Sequence, residues 1–356
     1  MRERHTCRLC DGPVSKVFEL KPAPIANSFP AKPDKNAPKY PLELMQCASC
    51  GHVQQRYVLD GLFEAYKYRT PKQAGEYWEP VAKRIAYAYP EGKVLEIGCN
   101  NGVFLDLMIK QGLEARGVDP AASHPNGVVG YFGEGFAKVI GTFDVVVGNN
   151  VFAHIDDLQD VFKGIQRVLE PDGMLIFEVQ YLVDLVASGA FDMIYHEHLD
   201  YHTLKPLQGF LKRFGMVMTG WEHLEAHGGS IRVTARKVGE ECEIPDEPLD
   251  WVGLRAKIDE HGERVRREIG EGKVPAFGAT AKASTLINEF GIQDHISFVA
   301  DDTKEKQFRY IPGTDIPVFP VESLRDEPVL LTAWNYAGEI AKRIPNRLIH
   351  PFASNR

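Results

Sequence analysis

The apolar positions change rhythm between residues 93 and 108, and that change predicts two elements. Val94, Leu95 and Ile97 crowd together as in a buried strand. Beyond Gly98 and Gly102, the apolar residues Val103, Phe104, Leu105, Leu107 and Met108 open a helix. Upstream, residues 76–89 carry Tyr77, Trp78, Val81, Ile85 and Tyr87 and read as a helix leading into that strand. Downstream, residues 116–119 end a second strand, 128–136 are short and Gly-rich, 143–148 form a buried strand, and 158–169 an amphipathic helix. Pro171, Asp172 and Gly173 predict a turn before a fifth strand at 173–179. Residues 216–224 and 230–237 read as two late strands. Strands alternating with helices predict a doubly wound α/β sheet.

The pattern then repeats on a smaller scale. Residues 246–268 contain a helix with Trp251, Leu254, Ile258 and Val265 at helical spacing. Residues 273–284 again read strand, turn, helix. Residues 296–302 and 328–334 are further strands, and 336–343 a helix. The expected division is 1–70, 71–240 and 241–356, the last a smaller Rossmann-like α/β domain. A chain of 356 residues has room for two or three domains.

Charge narrows the partners. A net charge of −8, with no run of Lys or Arg, excludes a nucleic-acid or membrane-surface role. The N-terminal MRERHTCRLCDG has no apolar signal core, and no apolar run approaches the ~20 residues of a membrane span. A cytoplasmic protein is expected. Six cysteines without a secretion signal favour metal or reduced thiols over disulfides.

Four of those cysteines are paired by spacing. Cys7 and Cys10, and then Cys47 and Cys50, form two C-x-x-C knuckles, each able to bring two thiolates to one tetrahedral zinc ion. Gly12 and Gly51 follow the knuckles and suit tight turns. The Pro-rich spacer is longer than the ~15–20 residues of a simple ribbon and is expected to fold as a loop or hairpin. Four thiolates close the site to substrate, so the zinc is read as structural. Residues 62–70 hold Tyr66 and Tyr68, either packed aromatics on a joining strand or a flap over a cofactor.

The 93–105 turn is the chemical centre. It lacks the Gly-Lys-Ser/Thr of a phosphate-binding P-loop and the third glycine of a dinucleotide fingerprint. Glu96, Gly98 and Gly102 resemble the E-x-G-x-x-x-G motif of class I S-adenosylmethionine (AdoMet) methyltransferases. Asp119 and Pro120 stand where that resemblance expects the acid that holds ribose hydroxyls. Asn149 and Asn150, after the 143–148 strand, resemble the segment facing the methionine part of AdoMet. The cofactor-binding set implied is Glu96, Gly98, Cys99, Asn101, Gly102, Phe104, Asp119, Pro120, Asn149 and Asn150. The same resemblance implies a terminal antiparallel hairpin.

The densest polar stretch reads Tyr195-His196-Glu197-His198-Leu199-Asp200-Tyr201-His202. Tyr, His and Glu can each move a proton near neutral pH when tuned. His196, His198 and His202 offer a metal alternative, and a hydrogen-bonded polar loop is a third. His154 stands either as a packing residue or as a ligand contact.

Together the knuckles, the AdoMet motif, the Tyr-His-Glu-His cluster, His227-Gly228-Gly229-Ser230-Ile231-Arg232 and Gly278-Ala279-Thr280-Ala281-Lys282-Ala283-Ser284 resemble one family. It is the zinc-containing sugar C-methyltransferases, which act on nucleotide-linked 4-keto deoxysugars. The resemblance covers nearly the whole chain and implies proton transfer by Tyr195 and His198, with Glu197 between them. It also implies substrate contacts from His196, His227, Gly228, Ser230 and Lys282, the last suiting an anionic group. O- or N-methylation of a small metabolite, and a noncatalytic AdoMet-binding scaffold, are the other readings.

Overall fold

A computed structural model describes residues 1–62, 70 and 74–352. Tyr66 and Tyr68 lie outside the described residues. The Pro-rich spacer folds as a hairpin: β1 (Val14–Ala23) pairs antiparallel with β2 (Tyr40–Cys47). β3 (Val53–Gln55), just past the second knuckle, adds antiparallel to β2.

Then comes α1 (Ala74–Ala88), and the doubly wound run follows. Its elements are β4 (Lys93–Ile97), α2 (Val103–Lys110), β5 (Glu114–Asp119), β6 (Gly127–Val129), α3 (Glu134–Ile140), β7 (Phe143–Asn149) and α4 (Leu158–Val168). β8 (Leu169–Gln180) and α5 (Leu182–Ser188) complete it. The expected turn at Pro171–Gly173 is absorbed into β8, whose pairing with β7 shifts register between Leu169 and Met174. Next are β9 (Asp200–Tyr201), α6 (Leu204–Arg213), β10 (Val217–Leu224) and β11 (Ser230–Arg236).

The seven-stranded sheet runs β10-β11-β8-β7-β4-β5-β6. Pairings from β8 to β6 are parallel, and β10 and β11 form the antiparallel end. Val145 and Val147 pack with Ile85 and Met108 on one face, while Val146 packs with Phe162 and Ile165 on the other. Both faces are covered, which is why the central strands read as unbroken apolar runs. The strand order reverses between β4 and β7, so the ligand crevice opens at their carboxyl ends.

β9 does not join that sheet. It pairs antiparallel with β3, giving a four-stranded sheet β9-β3-β2-β1. The sheet beside the zinc knuckles therefore borrows its edge strand from the segment that follows Tyr195 and His198.

α7 (Trp251–Ile269) leads to β12 (Val274–Phe277), α8 (Ala281–Phe290), β13 (Ile296–Ala300), β14 (Val318–Phe319), β15 (Val329–Leu331), α9 (Ala337–Arg343) and β16 (Leu348–Ile349). Their sheet runs β14-β13-β12-β15-β16 and is parallel throughout. Its order reverses between β12 and β15, where Gly278, Lys282 and Trp334 lie. Among the described residues no helix is long and apolar enough to cross a membrane.

Candidate active site

The turn after β4 is bent by left-handed residues: Gly98 (φ 80°), Asn100 (φ 46°) and Gly102 (φ 82°). A Cβ on Gly98 would stand 2.8 Å from Val151, and one on Gly102 2.5 Å from the His124 ring. The glycines are thus required by backbone angle and by the loop's own packing. Asp119 closes the turn from β5, its carboxylate accepting from the Asn100 N–H at 3.1 Å and the Ala121 N–H at 2.6 Å. Pro120 follows it on the exposed surface.

Three buried polar atoms here have no partner among the described residues: Glu96 Oε2, Asn101 Oδ1 and Asn149 Nδ2. Buried polar groups are ordinarily satisfied, so this concentration marks a place for a polar ligand. Burial, reinforced by the nearby Asp119, pushes the Glu96 carboxyl up to about 8, and a cationic ligand beside it would favour the carboxylate. The donor set fits AdoMet.

Two predicted contacts turn away. The Phe104 side chain is buried in the core with its ring 5.9 Å from Trp78, and the Cys99 side chain packs against Gly117. Apolar packing claims both side chains and leaves only their backbone at the turn. Asn150 (φ 53°) is held by Glu178, whose backbone carbonyl accepts the Asn150 N–H at 2.8 Å and whose Oε1 accepts from Nδ2 at 3.1 Å.

Glu178 itself escaped the sequence reading. It is fully buried and faces Arg232 across β8 and β11, with an ion pair at 2.9 Å and a hydrogen bond from the Tyr77 hydroxyl at 3.0 Å. The acid inside the apolar run 174–179 of β8 and the arginine in the middle of β11 were the available signals.

The polar cluster after α5 contains a hydrogen-bonded dyad. The Tyr195 hydroxyl and His198 Nε2 are 2.8 Å apart, and His198 Nδ1 lies 3.0 Å from the Met193 carbonyl. A carbonyl only accepts, so Nδ1 carries the proton of the neutral ring and Nε2 accepts from Tyr195. Burial, with His154 adding repulsion, holds the His198 imidazolium well below the usual histidine range. His154 meets His198 edge to face at 4.7 Å and donates from Nδ1 to the Glu197 carbonyl at 2.8 Å.

The neighbours of the dyad have other partners. The Glu197 carboxyl accepts from Asn27 at 3.0 Å, in the β1–β2 hairpin loop, so it stands apart from the expected Tyr195–His198 relay. His196 turns to Tyr40, with Nε2 3.3 Å from its carbonyl and the rings edge to face. A turn closed by the His198 N–H to the Tyr195 carbonyl at 3.0 Å brings 195 and 198 together and leaves 196 and 197 at its tip. His202 packs on His52 at 5.6 Å, so the three histidines do not converge as metal ligands.

The C-terminal sheet supplies the opposite wall. Trp334 Nε1 donates to the buried Asp192 at 2.7 Å, and the Lys282 ammonium lies 4.9 Å from the Trp334 ring centre while bonding to Asn335. Burial raises Asp192 to about 7 against the pull of Lys282, and burial lowers Lys282 in turn. His227 sits in the β10–β11 loop at φ 58°, and burial with Lys282 nearby pushes it down to about 4. Gly228 serves packing, since a Cβ there would stand 2.2 Å from Trp334. Ser230 is wholly buried and donates to the Ala226 carbonyl at 3.0 Å, closing its own hairpin.

Far from this cleft the four knuckle sulfurs gather within 4.8 Å of one another, the one such cluster of metal-ligating groups among the described residues. Cys7 and Cys50 Sγ are 3.6 Å apart and Cys10 and Cys47 Sγ 3.4 Å, beyond the ~2.0 Å of a disulfide. A tetrahedron with ~2.3 Å zinc–sulfur bonds needs sulfurs just under 4 Å apart, so the thiols fit zinc. The Leu9 and Ser49 N–H groups point at Cys7 and Cys47 Sγ, each at 3.4 Å, as supports for thiolates.

Comparisons with known proteins agree with this layout. Residues 68–219 match a family model described as a methyltransferase domain, 254–348 a C-methyltransferase C-terminal domain, and 7–61 a "Putative zinc binding domain". The C-methyltransferase NovU of Streptomyces niveus is 30% identical over 381 aligned residues, covering 94% of this chain and 90% of its own. Among solved structures, the PH0226 protein of Pyrococcus horikoshii OT3 is 18% identical with a TM-score of 0.37, over 50% of this chain and 99% of that one. The CcbJ methyltransferase of Streptomyces caelestis is 15% identical, also with a TM-score of 0.37, over 50% and 96%. The chain belongs to the zinc-binding, AdoMet-dependent C-methyltransferases, and it is an enzyme of that class.

Proposed function

We propose that the enzyme methylates the carbon beside the ketone of a nucleotide-linked 4-keto sugar, through an enolate. The observation that carries this is the Tyr195–His198 dyad, 2.8 Å from oxygen to nitrogen with its tautomer set by Met193. As the Tyr195 oxygen takes up the carbon-bound proton, its own proton passes to His198 Nε2. Burial keeps the imidazole neutral across the working pH range, so Nε2 has a lone pair free to receive that proton when the substrate's carbon gives one up. Glu96, Asn101 and Asn149 would hold AdoMet from the β4 and β7 ends, with Asp119 at the ribose. AdoMet supplies an electrophilic methyl on a sulfonium.

Lys282, near the start of α8 and beside Trp334 and His227, would hold the anionic nucleotide end, giving residues 241–356 a substrate-binding role. Four free thiols poised for zinc suit a reducing cytoplasm.

Deuterium exchange tests the assignment. With AdoMet replaced by S-adenosylhomocysteine, a nucleotide-linked 4-keto deoxysugar should exchange its α-hydrogen in heavy water. His198→Asn should slow that exchange by ~10²-fold or more. Turnover with no carbon-bound exchange would point to O- or N-methylation instead.

A further inference from the structure

The zinc knuckles and the histidine pair belong to different parts of the fold, yet one side chain joins them. Arg8, between Cys7 and Cys10, is fully buried. Its backbone N–H donates to Gln54 Oε1 at 2.8 Å, which seats the knuckle on β3. Its Nη1 donates to the Leu199 carbonyl at 3.3 Å and the Gln55 carbonyl at 3.2 Å. Its Nε donates to Asp156 Oδ1 at 3.3 Å, and Nη2 lies 3.2 Å from the same oxygen. Asp200 stands 3.8 Å from Nε and is held by His52 at 2.7 Å.

Leu199 follows His198 directly, and Asp156 lies two residues beyond His154. The guanidinium therefore grips both histidine-bearing segments from behind. The same segments are tied by the Leu199 N–H to the Ala153 carbonyl at 2.7 Å and the Gln55 N–H to the Leu199 carbonyl at 2.8 Å. A planar fork with five donors can reach these partners in several directions at once, which an ammonium on a single stem cannot. A buried guanidinium also carries a large desolvation cost, which the bonds from Nε and Nη1 and the ion pair with Asp156 offset.

We infer that Arg8 is a positioning residue: fixed by the zinc knuckle, it clamps the His154 loop to the His198 segment and sets how the two imidazoles approach. Zinc held by Cys7, Cys10, Cys47 and Cys50 would fix the knuckle that carries Arg8. The turnover part of the test rests on the reading of His198 as proton acceptor; the spectroscopic part does not.

The test uses the zinc-loaded full chain with Arg8→Lys, Arg8→Met and Asp156→Asn. Zinc content and AdoMet affinity should stay within about twofold of the parent. Amide exchange at Leu199 and Gln55 should speed up ~10-fold or more. The His198 ring nitrogens, followed by NMR, should titrate higher, toward the ~6.5 of a solvated histidine. With a 4-keto sugar nucleotide, kcat should fall ~10–100-fold at unchanged KM. A zinc-loaded variant with parental exchange and parental His198 titration overturns the inference. Loss of AdoMet binding along with the exchange change also overturns it, because Arg8 would then be a general prop. If the Arg8 variants fail to fold, Asp156→Asn, which leaves the knuckle intact, decides by the same readings.

Discussion

Two βα turns in this chain use the same backbone device and present opposite chemistry. In each, an acid at the end of the next strand accepts an N–H from the turn: Asp119 from Asn100 at 3.1 Å, and Asp301 from Ala279 at 2.7 Å. Each turn contains a left-handed glycine, Gly98 or Gly278, pressed against a neighbouring loop. The side chains then diverge. The first turn gathers unpartnered neutral and acidic groups, with Glu96 poised near neutrality. The second gathers Lys282, and Lys306 donating to the Ala279 carbonyl at 2.7 Å. One scaffold thus presents carboxyl and amide groups at one turn and lysines at the other, which under the proposed function become a seat for AdoMet and a seat for an anion.

The strongest way to break this contrast is steric. Gly102→Val puts a branched side chain at φ 82° and 2.5 Å from His124, and calorimetry should show AdoMet affinity reduced by ~10²-fold or more. Gly278→Val, at φ 103° and 2.4 Å from Ala333, should spare AdoMet and abolish binding of the sugar nucleotide. If either substitution abolished both, the two seats would not be separable.

Charge gives the next effect. Lys282→Met should weaken sugar-nucleotide binding by ~10–100-fold, the loss expected for a hydrogen bond to a charged group, with AdoMet affinity unchanged. Asp119→Asn should do the reverse. Equilibrium binding of each ligand to each variant checks the crossover.

Protons sharpen it further. Glu96, at about 8 in the free enzyme, holds its proton at pH 7, and a cationic ligand favours the carboxylate. AdoMet binding should release a proton, and its affinity should rise with pH by up to tenfold per unit, levelling above pH 8. His227, at about 4, should take up a proton beside an anionic ligand, so sugar-nucleotide affinity should rise as pH falls toward 5. Calorimetry in buffers of different ionisation enthalpy reads both signs, and Glu96→Gln should flatten the AdoMet curve.

The smallest effect is on stability. His196 is pushed down to about 4 by burial, against ~6.5 when unfolded. The unfolded chain binds that proton first, so stability is complete above pH ~6.5 and falls as pH drops toward 4. His196→Gln should remove up to ~1.4 kcal/mol per pH unit from that slope in denaturant titrations.

The sequence alone determined what contiguous residues can encode. Periodicity marked β4, α2, β7 and the late hairpin because side-chain alternation follows directly from backbone geometry. C-x-x-C spacing marked the knuckles because two thiols must meet one metal within a single turn. Tyr195 and His198 were singled out by the family resemblance, and the turn between them brings the two within hydrogen-bond reach. What lay between these local signals was decided by tertiary packing. Phe104 fits the motif by spacing and yet belongs to the core. Glu197 sits within the dyad in sequence and reaches Asn27, 170 residues away. Arg8 finds Leu199 across 191 residues, and Trp334 finds Asp192 across 142. No periodicity connects such pairs: they exist because β9 joins the zinc-side sheet and the loop after β15 packs on the segment after α5. Local pattern sets the backbone, and only the packed whole decides which buried polar groups must satisfy one another.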